Sequence, residues 1–196
     1  MASNQEKFWK GNFGKIYSRR NKNSNKEKMF RLILPKMKKV ESVFEFGTNI
    51  GKNLDAIKKI SPKTVTAGLE INSFAAKICA KKGHKIVCSS IIDFKTNEKY
   101  DLTFTCGVLI HVNPAELPKV YKKIFDLSKK YILIEEYFNP EPVSINYRGH
   151  KNKLFKRDFG KEISKKFNLK IIDYGFFWSE DKKFNISNTN WFLFKK

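Results

Sequence analysis

The hydrophobic pattern around residue 45 predicts a strand, a glycine turn and a helix. Residues 43–46 are an apolar run that encloses one acidic residue, Glu45, and a turn follows from Gly47 to Gly51. Beyond the turn, apolar side chains recur every three residues, at Leu54, Ile57 and Ile60. That spacing places them on one face of a helix.

The same alternation continues along the chain. Asn72 is a predicted helix cap, Gly83 a predicted helix end, and Pro114 the predicted start of a helix that reaches Leu127. Further strands are predicted at 64–69, 85–88, 100–106 and 131–134. Alternating strands and helices are typical of a doubly wound α/β domain, with helices on both faces of a mostly parallel sheet.

The C-terminal pattern predicts a different ending for the sheet. A crossover after the fifth strand leads to a helix that ends near Phe167. Residues 169–178 and 189–194 then form two predicted strands without a helical pattern between them. They predict an antiparallel hairpin with an irregular loop at 179–188. A mostly parallel sheet that ends in an antiparallel hairpin is the architecture of Rossmann-like methyltransferases.

The N-terminal residues are aromatic and basic. Two glycines within residues 6–23 argue against one long helix, so we expect short turns whose aromatic side chains pack down as a lid over a ligand or as a plain hydrophobic flap. Ser24 and Glu27 form a predicted capping box, and Pro35 is expected to kink or end the helix that follows. We therefore expect a flap and helix at 1–39, packed on a core at 40–196 in one globular domain.

Composition limits the classes of protein to consider. The chain has 196 residues, of which 41% are apolar, enough for one buried core. Its three cysteines show no paired spacing, which indicates a reducing compartment and argues against disulfides or a zinc site. No run has the length of a signal peptide core or a membrane span. These features predict a cytoplasmic protein without a metal ion.

The formal charge of +21 raises the possibility of a nucleic-acid partner. However, 35 of the 40 basic residues are lysine and 5 are arginine, and they are scattered along every segment. Recognition of phosphates and bases tends to favour the bidentate arginine fork. The charge therefore resembles a compositional bias more than a designed binding face, and a nucleic-acid substrate stays open as an alternative.

The glycine turn suggests a nucleotide-like ligand, together with three acidic positions, Glu45, Glu70 and Asp93. The N-terminus of the helix after the turn attracts an anionic group. Glu70 lies 23 positions after Gly47, where a carboxylate can accept hydrogen bonds from ribose hydroxyls. Asp93 could accept from an adenine amine or cap a turn. Asn49 stands where a dinucleotide fingerprint has its second glycine, so a simple tight turn is the alternative.

These features together resemble class I S-adenosylmethionine (SAM) dependent methyltransferases over roughly residues 40–196. More narrowly, the chain resembles the pseudaminic acid biosynthesis-associated methylases. This narrower resemblance covers nearly the whole chain and rests on four stretches: Phe8 to Asn21, Glu45 to Leu54, Gly107 to Pro114, and Glu136 to Phe159.

The resemblance implies SAM as the methyl donor. Gly47 and Gly51 would flank its methionine end, Glu70 would hold the ribose, and Ile92 with Asp93 would hold the adenine. The other positions implied to bind the cofactor are Glu45, Asn49, Ile71 and Gly107.

Residues for the acceptor follow from the later motifs. His111 is the candidate base, with a histidine bonded to its own loop as the alternative, and Glu136 is a second base or an orienting group. Tyr137, Tyr147 and Arg148 would line the acceptor pocket. The planar fork of Arg148 suits a carboxylate or phosphate, so we expect a small anionic acceptor such as an acidic or nucleotide-linked sugar. A SAM-binding protein without catalysis is the remaining alternative.

Overall fold

Nine strands lie within residues 2–20 and 26–196, the part of the chain that the computed structural model describes. They are β1 (Ser42–Phe46), β2 (Val65–Glu70), β3 (Lys85–Cys88), β4 (Tyr100–Cys106), β5 (Ser128–Glu136), β6 (Val143–Tyr147), β7 (His150–Lys156), β8 (Lys170–Phe177) and β9 (Thr189–Lys195). Seven form one sheet in the order β3-β2-β1-β4-β5-β9-β8. β1 to β5 pair in parallel, and β9 runs antiparallel to both β5 and β8. The predicted sheet with its antiparallel C-terminal hairpin is confirmed.

Helices cover both faces of this sheet. They are α1 (Asn4–Lys10), α2 (Asn12–Arg20), α3 (Glu27–Ile33), α4 (Lys52–Ile60), α5 (Ser73–Ala80), α6 (Leu117–Leu127) and α7 (Phe159–Phe167). Successive side chains of a strand point to opposite faces, so a strand buried on both sides supplies two cores. Phe44 and Ile132 belong to the core under α6 and α7, while Val43 and Leu133 belong to the core under α3 and α4.

The N-terminal segment is more helical than the sequence suggested. The predicted short turns are the helices α1 and α2, which break at Gly11. Gly14 lies within α2, where an added Cβ would come 2.0 Å from the Trp9 carbonyl oxygen, so this glycine permits close packing of the two helices. Pro35 ends α3 in a 3₁₀ turn, as predicted. Ser24 of the predicted capping box lies outside the described residues.

A second, small sheet lies where only a crossover was predicted. β6 and β7 pair antiparallel, with Val143 opposite Lys156 and Tyr147 opposite His150. Apolar and polar residues alternate in β6 (VSINY), but β7 (HKNKLFK) has no such alternation, so the sequence did not predict the pairing. Among the described helices, none is long and apolar enough to cross a membrane.

The structure predicts different costs for alanine at two glycines. Gly51 has a φ of 82°, and its added Cβ would lie 2.5 Å from Cys79 Sγ. Gly83 has a similar φ of 89°, but nothing lies within 4 Å of its added Cβ. We expect Gly83→Ala to lower the free energy of unfolding by about 1–2 kcal/mol through backbone strain alone. Gly51→Ala should lower the free energy of unfolding by about 1–3 kcal/mol more than Gly83→Ala does, because its added Cβ overpacks against Cys79.

Urea denaturation of both variants measures the difference. Adding Cys79→Ala to Gly51→Ala should recover part of the extra loss, since it removes the overlapping sulfur. Equal losses for Gly51→Ala and Gly83→Ala would show that the Cys79 contact is not the reason for a glycine at position 51.

Candidate active site

A cavity of about 380 Å³ opens at the carboxyl edge of the sheet. It extends from the segment after β3, past the ends of β2, β1, β4 and β5, to the start of β9. The volume lies within the usual range for small-molecule sites, roughly 300–1,000 Å³. Ligands of open α/β sheets bind at this edge, where the strand order reverses. The cavity is therefore the candidate active site.

The glycine turn forms one wall of this cavity. Its conformation is left-handed at three positions, with φ of 74° at Gly47, 47° at Asn49 and 82° at Gly51. Asparagine tolerates this region better than most residues, which explains Asn49 in a glycine-rich turn. Gly47 and Asn49 line the cavity, but Gly51 does not. Gly51 instead packs against Cys79, so packing rather than ligand approach accounts for its missing side chain.

Glu70 joins the turn to the end of β2. One carboxylate oxygen accepts a hydrogen bond from the Asn49 backbone N–H at 2.7 Å, and the other accepts from the Asn72 N–H at 2.8 Å. Burial raises the pKa of Glu70, while these backbone hydrogen bonds oppose the rise. Glu70 lines the cavity, as its predicted role requires. The Ile71 backbone also bonds this carboxylate, and a carboxylate has about four lone-pair sites, so room remains for a ligand hydroxyl.

Glu45 lies beneath the turn and is fully buried. Asn53 donates to its Oε1 at 2.5 Å, while Oε2 has no partner among the described residues. Burial raises the pKa of Glu45 to about 8, against the lowering effect of the Asn53 hydrogen bond. Asn49 Oδ1 is a second buried acceptor without a partner in the described part of the chain. Asn49 lines the cavity but Glu45 does not, so the structure does not bring Glu45 to a ligand, and Asn49 Oδ1 is the acceptor that a ligand donor can use.

The next wall is apolar and contains most of the remaining predicted cofactor residues. Ile71, Ile92 and Gly107 line the cavity, and no atom lies within 4 Å of an added Cβ at Gly107. The structure does not bring Asp93 to this site. Asp93 is exposed outside the cavity, and its backbone N–H donates to Ser90 Oγ in the turn after β3. The side chain that caps this turn is that of Ser90, whose Oγ accepts from the Ile92 and Asp93 N–H groups, and not that of Asp93.

His111 lines the cavity at the end of β4. Its Nδ1 lies 2.6 Å from the Lys153 carbonyl oxygen of β7, rather than from its own loop. A carbonyl only accepts, so Nδ1 carries the proton and Nε2 keeps a lone pair in the neutral ring. Burial lowers the pKa of His111 to about 4, although the bond to Lys153 opposes this. The ring lies 4.4 Å from the Trp9 ring and 5.0 Å from the Tyr147 ring.

Glu136 holds the backbone of the turn that carries His111. Its Oε1 accepts from the Val108 and Leu109 N–H groups at 2.9 and 3.0 Å. Burial raises the pKa of Glu136 to about 7, against the lowering effect of these hydrogen bonds. Glu136 does not line the cavity, so the structure places it behind His111 rather than beside a ligand.

The predicted acceptor residues divide between the cavity and its exterior. Tyr137 and Tyr147 line the cavity. Arg148 is exposed in the turn of the β6–β7 hairpin, with a φ of 51°, and its guanidinium lies 5.9 Å from the centre of the Tyr147 ring. The structure therefore does not bring Arg148 into the cavity.

The helical pair α1–α2 closes one side of the cavity. The Asn72 side chain donates to the carbonyl oxygens at the end of α1, those of Trp9, Lys10 and Gly11, at 3.0–3.2 Å. Gln5 donates to the Asn152 carbonyl of β7 at 3.1 Å. The pair is thus fixed to the α5 side and to the hairpin. The sequence pattern predicted only a helix cap at Asn72, because the residues that its side chain contacts lie more than 60 positions away in the chain.

The cavity also holds a charged pair that the sequence did not predict. Lys26 Nζ lies 3.1 Å from Glu135 Oε1, and Thr189 Oγ1 donates to the same oxygen. Lys26, Glu135 and Thr189 are widely separated in sequence. Each lies in a segment whose local pattern is that of an ordinary strand or helix end. No local signal marked them. Among the described residues, no group of three histidine, cysteine or acidic side chains could hold a metal ion.

The sequence matches no protein-family model and no curated protein. The fold, however, is similar to solved methyltransferase structures. Magnesium protoporphyrin IX methyltransferase (ChlM) from Synechocystis PCC 6803 with bound SAM has a TM-score of 0.70 and 11% identity, over 100% of this chain and 98% of that chain. A SAM dependent methyltransferase from Archaeoglobus fulgidus has a TM-score of 0.69 and 16% identity, over 94% and 100%.

The plantazolicin methyltransferase BpumL, in complex with a pentazolic desmethylPZN analog and SAH, has a TM-score of 0.66 and 15% identity. That likeness covers 97% of this chain and 94% of BpumL. At such identities the likeness concerns the fold. The chain has the Rossmann-like fold of the class I SAM-dependent methyltransferases.

The site predicts an unusual titration of His111. Because burial lowers its pKa from 6.5 to about 4, the unfolded chain binds this proton first as the pH falls. The contribution of the neutral ring to stability is therefore complete above about pH 6.5 and is lost as the pH falls towards 4.

Nitrogen-detected NMR of the imidazole tests both properties. We expect a midpoint near pH 4 and the tautomer with the proton on Nδ1. A midpoint near 6.5, or a proton on Nε2 in the neutral ring, would contradict the buried environment and the bond to Lys153.

Proposed function

We propose that the protein is a SAM-dependent methyltransferase that acts on a small molecule. The observation that carries the proposal is the cavity itself. It joins a left-handed glycine turn to the carboxylate of Glu70 at the end of β2, within a fold whose solved examples include complexes with SAM or its product SAH. A carboxylate at the end of the second strand, about 20 residues after a glycine turn, suits the ribose of a nucleoside.

The residues present fit the cofactor. Asn49 lines the cavity, and its Oδ1 is a buried acceptor without a partner among the described residues, so the ammonium of the methionine end would supply a donor to it. Glu70 would accept from the ribose hydroxyls. Ile71 and Ile92 would pack on the adenine, with the open space beside Gly107 taken up by the ligand. When bound, SAM supplies a methyl group activated by its sulfonium.

The chain itself has to align the acceptor and accept its proton. Alignment of two reactants can supply on the order of 7 kcal/mol or more. His111 is the group placed to accept the proton, because it stays neutral at pH 7 and its Nε2 keeps a lone pair. Glu136 would be a positioning residue that holds the turn of His111 through the backbone. Trp9 and Tyr147 exclude water from this end of the cavity.

The narrower resemblance is supported by where its motifs lie. The four stretches that resemble the pseudaminic acid-associated methylases are far apart in sequence. Each contributes residues to the cavity: Trp9, Gly47 to Ile50, Gly107, Val108, Ile110 and His111, and Tyr137 with Tyr147. We propose that the protein belongs to this group and that its acceptor is an acidic or nucleotide-linked sugar. Arg148, at the exposed hairpin turn, would then meet an anionic part of the acceptor outside the cavity.

Cofactor binding tests the proposal directly. We expect calorimetry to show one SAM molecule bound per chain. Glu70→Gln should weaken SAM about tenfold or more, because a hydrogen bond to a charged group is worth about 1.5–3 kcal/mol. Glu98→Gln, which changes a carboxylate that does not line the cavity, should leave the affinity within about threefold of the wild type. Absence of SAM binding by the wild type would end the proposal.

A labelled-methyl assay against small-molecule, protein and RNA fractions of a cell extract tests the reaction. We expect the label in the small-molecule fraction. His111→Asn should slow turnover by about 10²-fold to 10⁴-fold, the usual contribution of a general base, with SAM affinity unchanged within about threefold. Label in RNA would favour the nucleic-acid alternative, and SAM binding without transfer to any fraction would favour a protein without catalysis.

A further inference from the structure

The charged pair Lys26–Glu135 lies in the part of the cavity that the cofactor residues do not use. Those residues stand on or after β1, β2 and β3, with Gly107 at the end of β4. Beyond β4, the cavity is lined by Glu135 near the end of β5 and by Thr189 at the start of β9. Lys26 lines it beside Glu135. A cofactor held over the first half leaves this second half for the acceptor.

Fold stability does not explain a charged pair at this place. Glu135 is 1% exposed and the Lys26 side chain 22% exposed, so both have lost much of their hydration. The cost of removing two charges from water offsets most of their attraction, and apolar replacements of such pairs are often as stable. The pair is therefore better explained by what it offers to a ligand.

Among the described residues, the geometry leaves hydrogen-bonding capacity on both partners. The ammonium of Lys26 has three donors, and one of them meets Glu135 Oε1. Thr189 Oγ1 donates to that same oxygen. Because both bonds end on Oε1, Oε2 is the oxygen that they leave for another donor. The pair thus presents donors and an acceptor side by side.

The pair combines one ammonium with one carboxylate and so has no net charge, which determines the kind of ligand it suits. An anion attracted by Lys26 also meets the carboxylate of Glu135, and a cation attracted by Glu135 also meets the ammonium of Lys26. A hydroxyl avoids both conflicts, because its oxygen accepts from Lys26 while its hydrogen donates to Glu135. Two neighbouring hydroxyls would use both partners at once.

We propose that Lys26 and Glu135 bind a neutral, hydroxyl-bearing part of the methyl acceptor. This inference rests on the proposed function, since it assigns the second half of the cavity to the acceptor. It also replaces the expectation of a carboxylate or phosphate in the pocket. Any anionic group of the acceptor lies outside, on the side of the hairpin turn with Arg148.

Three matched methyl glycosides test the proposal on the full-length Arg148→Ala chain saturated with SAH, because that variant removes the attraction of Arg148 for a carboxylate. Methyl glucoside is neutral, methyl glucuronide carries a carboxylate, and methyl glucosaminide carries an ammonium. Ligand-observed NMR gives their dissociation constants. We expect the neutral glycoside to bind at least tenfold more tightly than either charged one. Lys26→Met and Glu135→Gln should each weaken it about tenfold or more, the usual effect of losing a hydrogen bond to a charged group.

Lys36→Met and Asp173→Asn are the matched controls. Lys36 and Asp173 form a 2.5 Å ion pair that does not line the cavity, so these variants remove the same charges elsewhere. They should leave binding of the neutral glycoside unchanged. The proposal is overturned if a charged glycoside binds as tightly as the neutral one, if the neutral one does not bind, or if Lys26→Met behaves like Lys36→Met.

SAH calorimetry separates this proposal from the proposed function. A wild type that does not bind SAH refutes the methyltransferase assignment, whereas SAH binding with no selectivity among the glycosides refutes the acceptor subsite alone. If a single variant loses SAH binding because it leaves a buried charge unpaired, the double variant Lys26→Met with Glu135→Leu leaves none. The double variant should bind SAH with the affinity of the wild type but should no longer bind the neutral glycoside.

Discussion

The carboxylate of Glu70 is the contact on which the site depends. It accepts from the backbone of the glycine turn and from the backbone of Asn72 at the start of α5, so it joins three elements at the sheet edge. The Asn72 side chain then binds the end of α1 and fixes the helical pair over the cavity. One buried acid thus connects the proposed ribose site to the cover above it.

The cover also determines the electrostatics of the cavity. The helical pair and the β6–β7 hairpin surround His111 with aromatic rings and supply the carbonyl that fixes its tautomer. Burial lowers the pKa of His111 and raises the pKa of Glu45 and Glu136, which disfavours the charged form in each case. Burial by itself would lower the pKa of Lys26, but the nearby Glu135 carboxylate raises it, and the net shift is upward.

Local pattern was a good guide wherever burial was regular. Residues 131–134 of β5, which are buried on both faces, are a continuous apolar run, and the glycine turn follows from its own residues. The pattern failed for the β6–β7 hairpin and the helical pair. Both are exposed on much of their surface and are held by contacts with distant parts of the chain, such as that of Gln5 with Asn152. Asp93 shows a further limit, since its place after a strand did not reveal that it faces away from the cavity.

By itself the sequence determined the α/β sheet with its antiparallel end, the glycine turn, and the carboxylate of Glu70, because each depends on residues close together in the chain. Only the tertiary structure decided which side chains share the cavity. It excluded Arg148 and Asp93, placed Glu136 behind His111, and brought Lys26 to Glu135. The physical reason is that a side chain's partner across a folded sheet is set by packing between elements distant in sequence, and no local spacing encodes that choice.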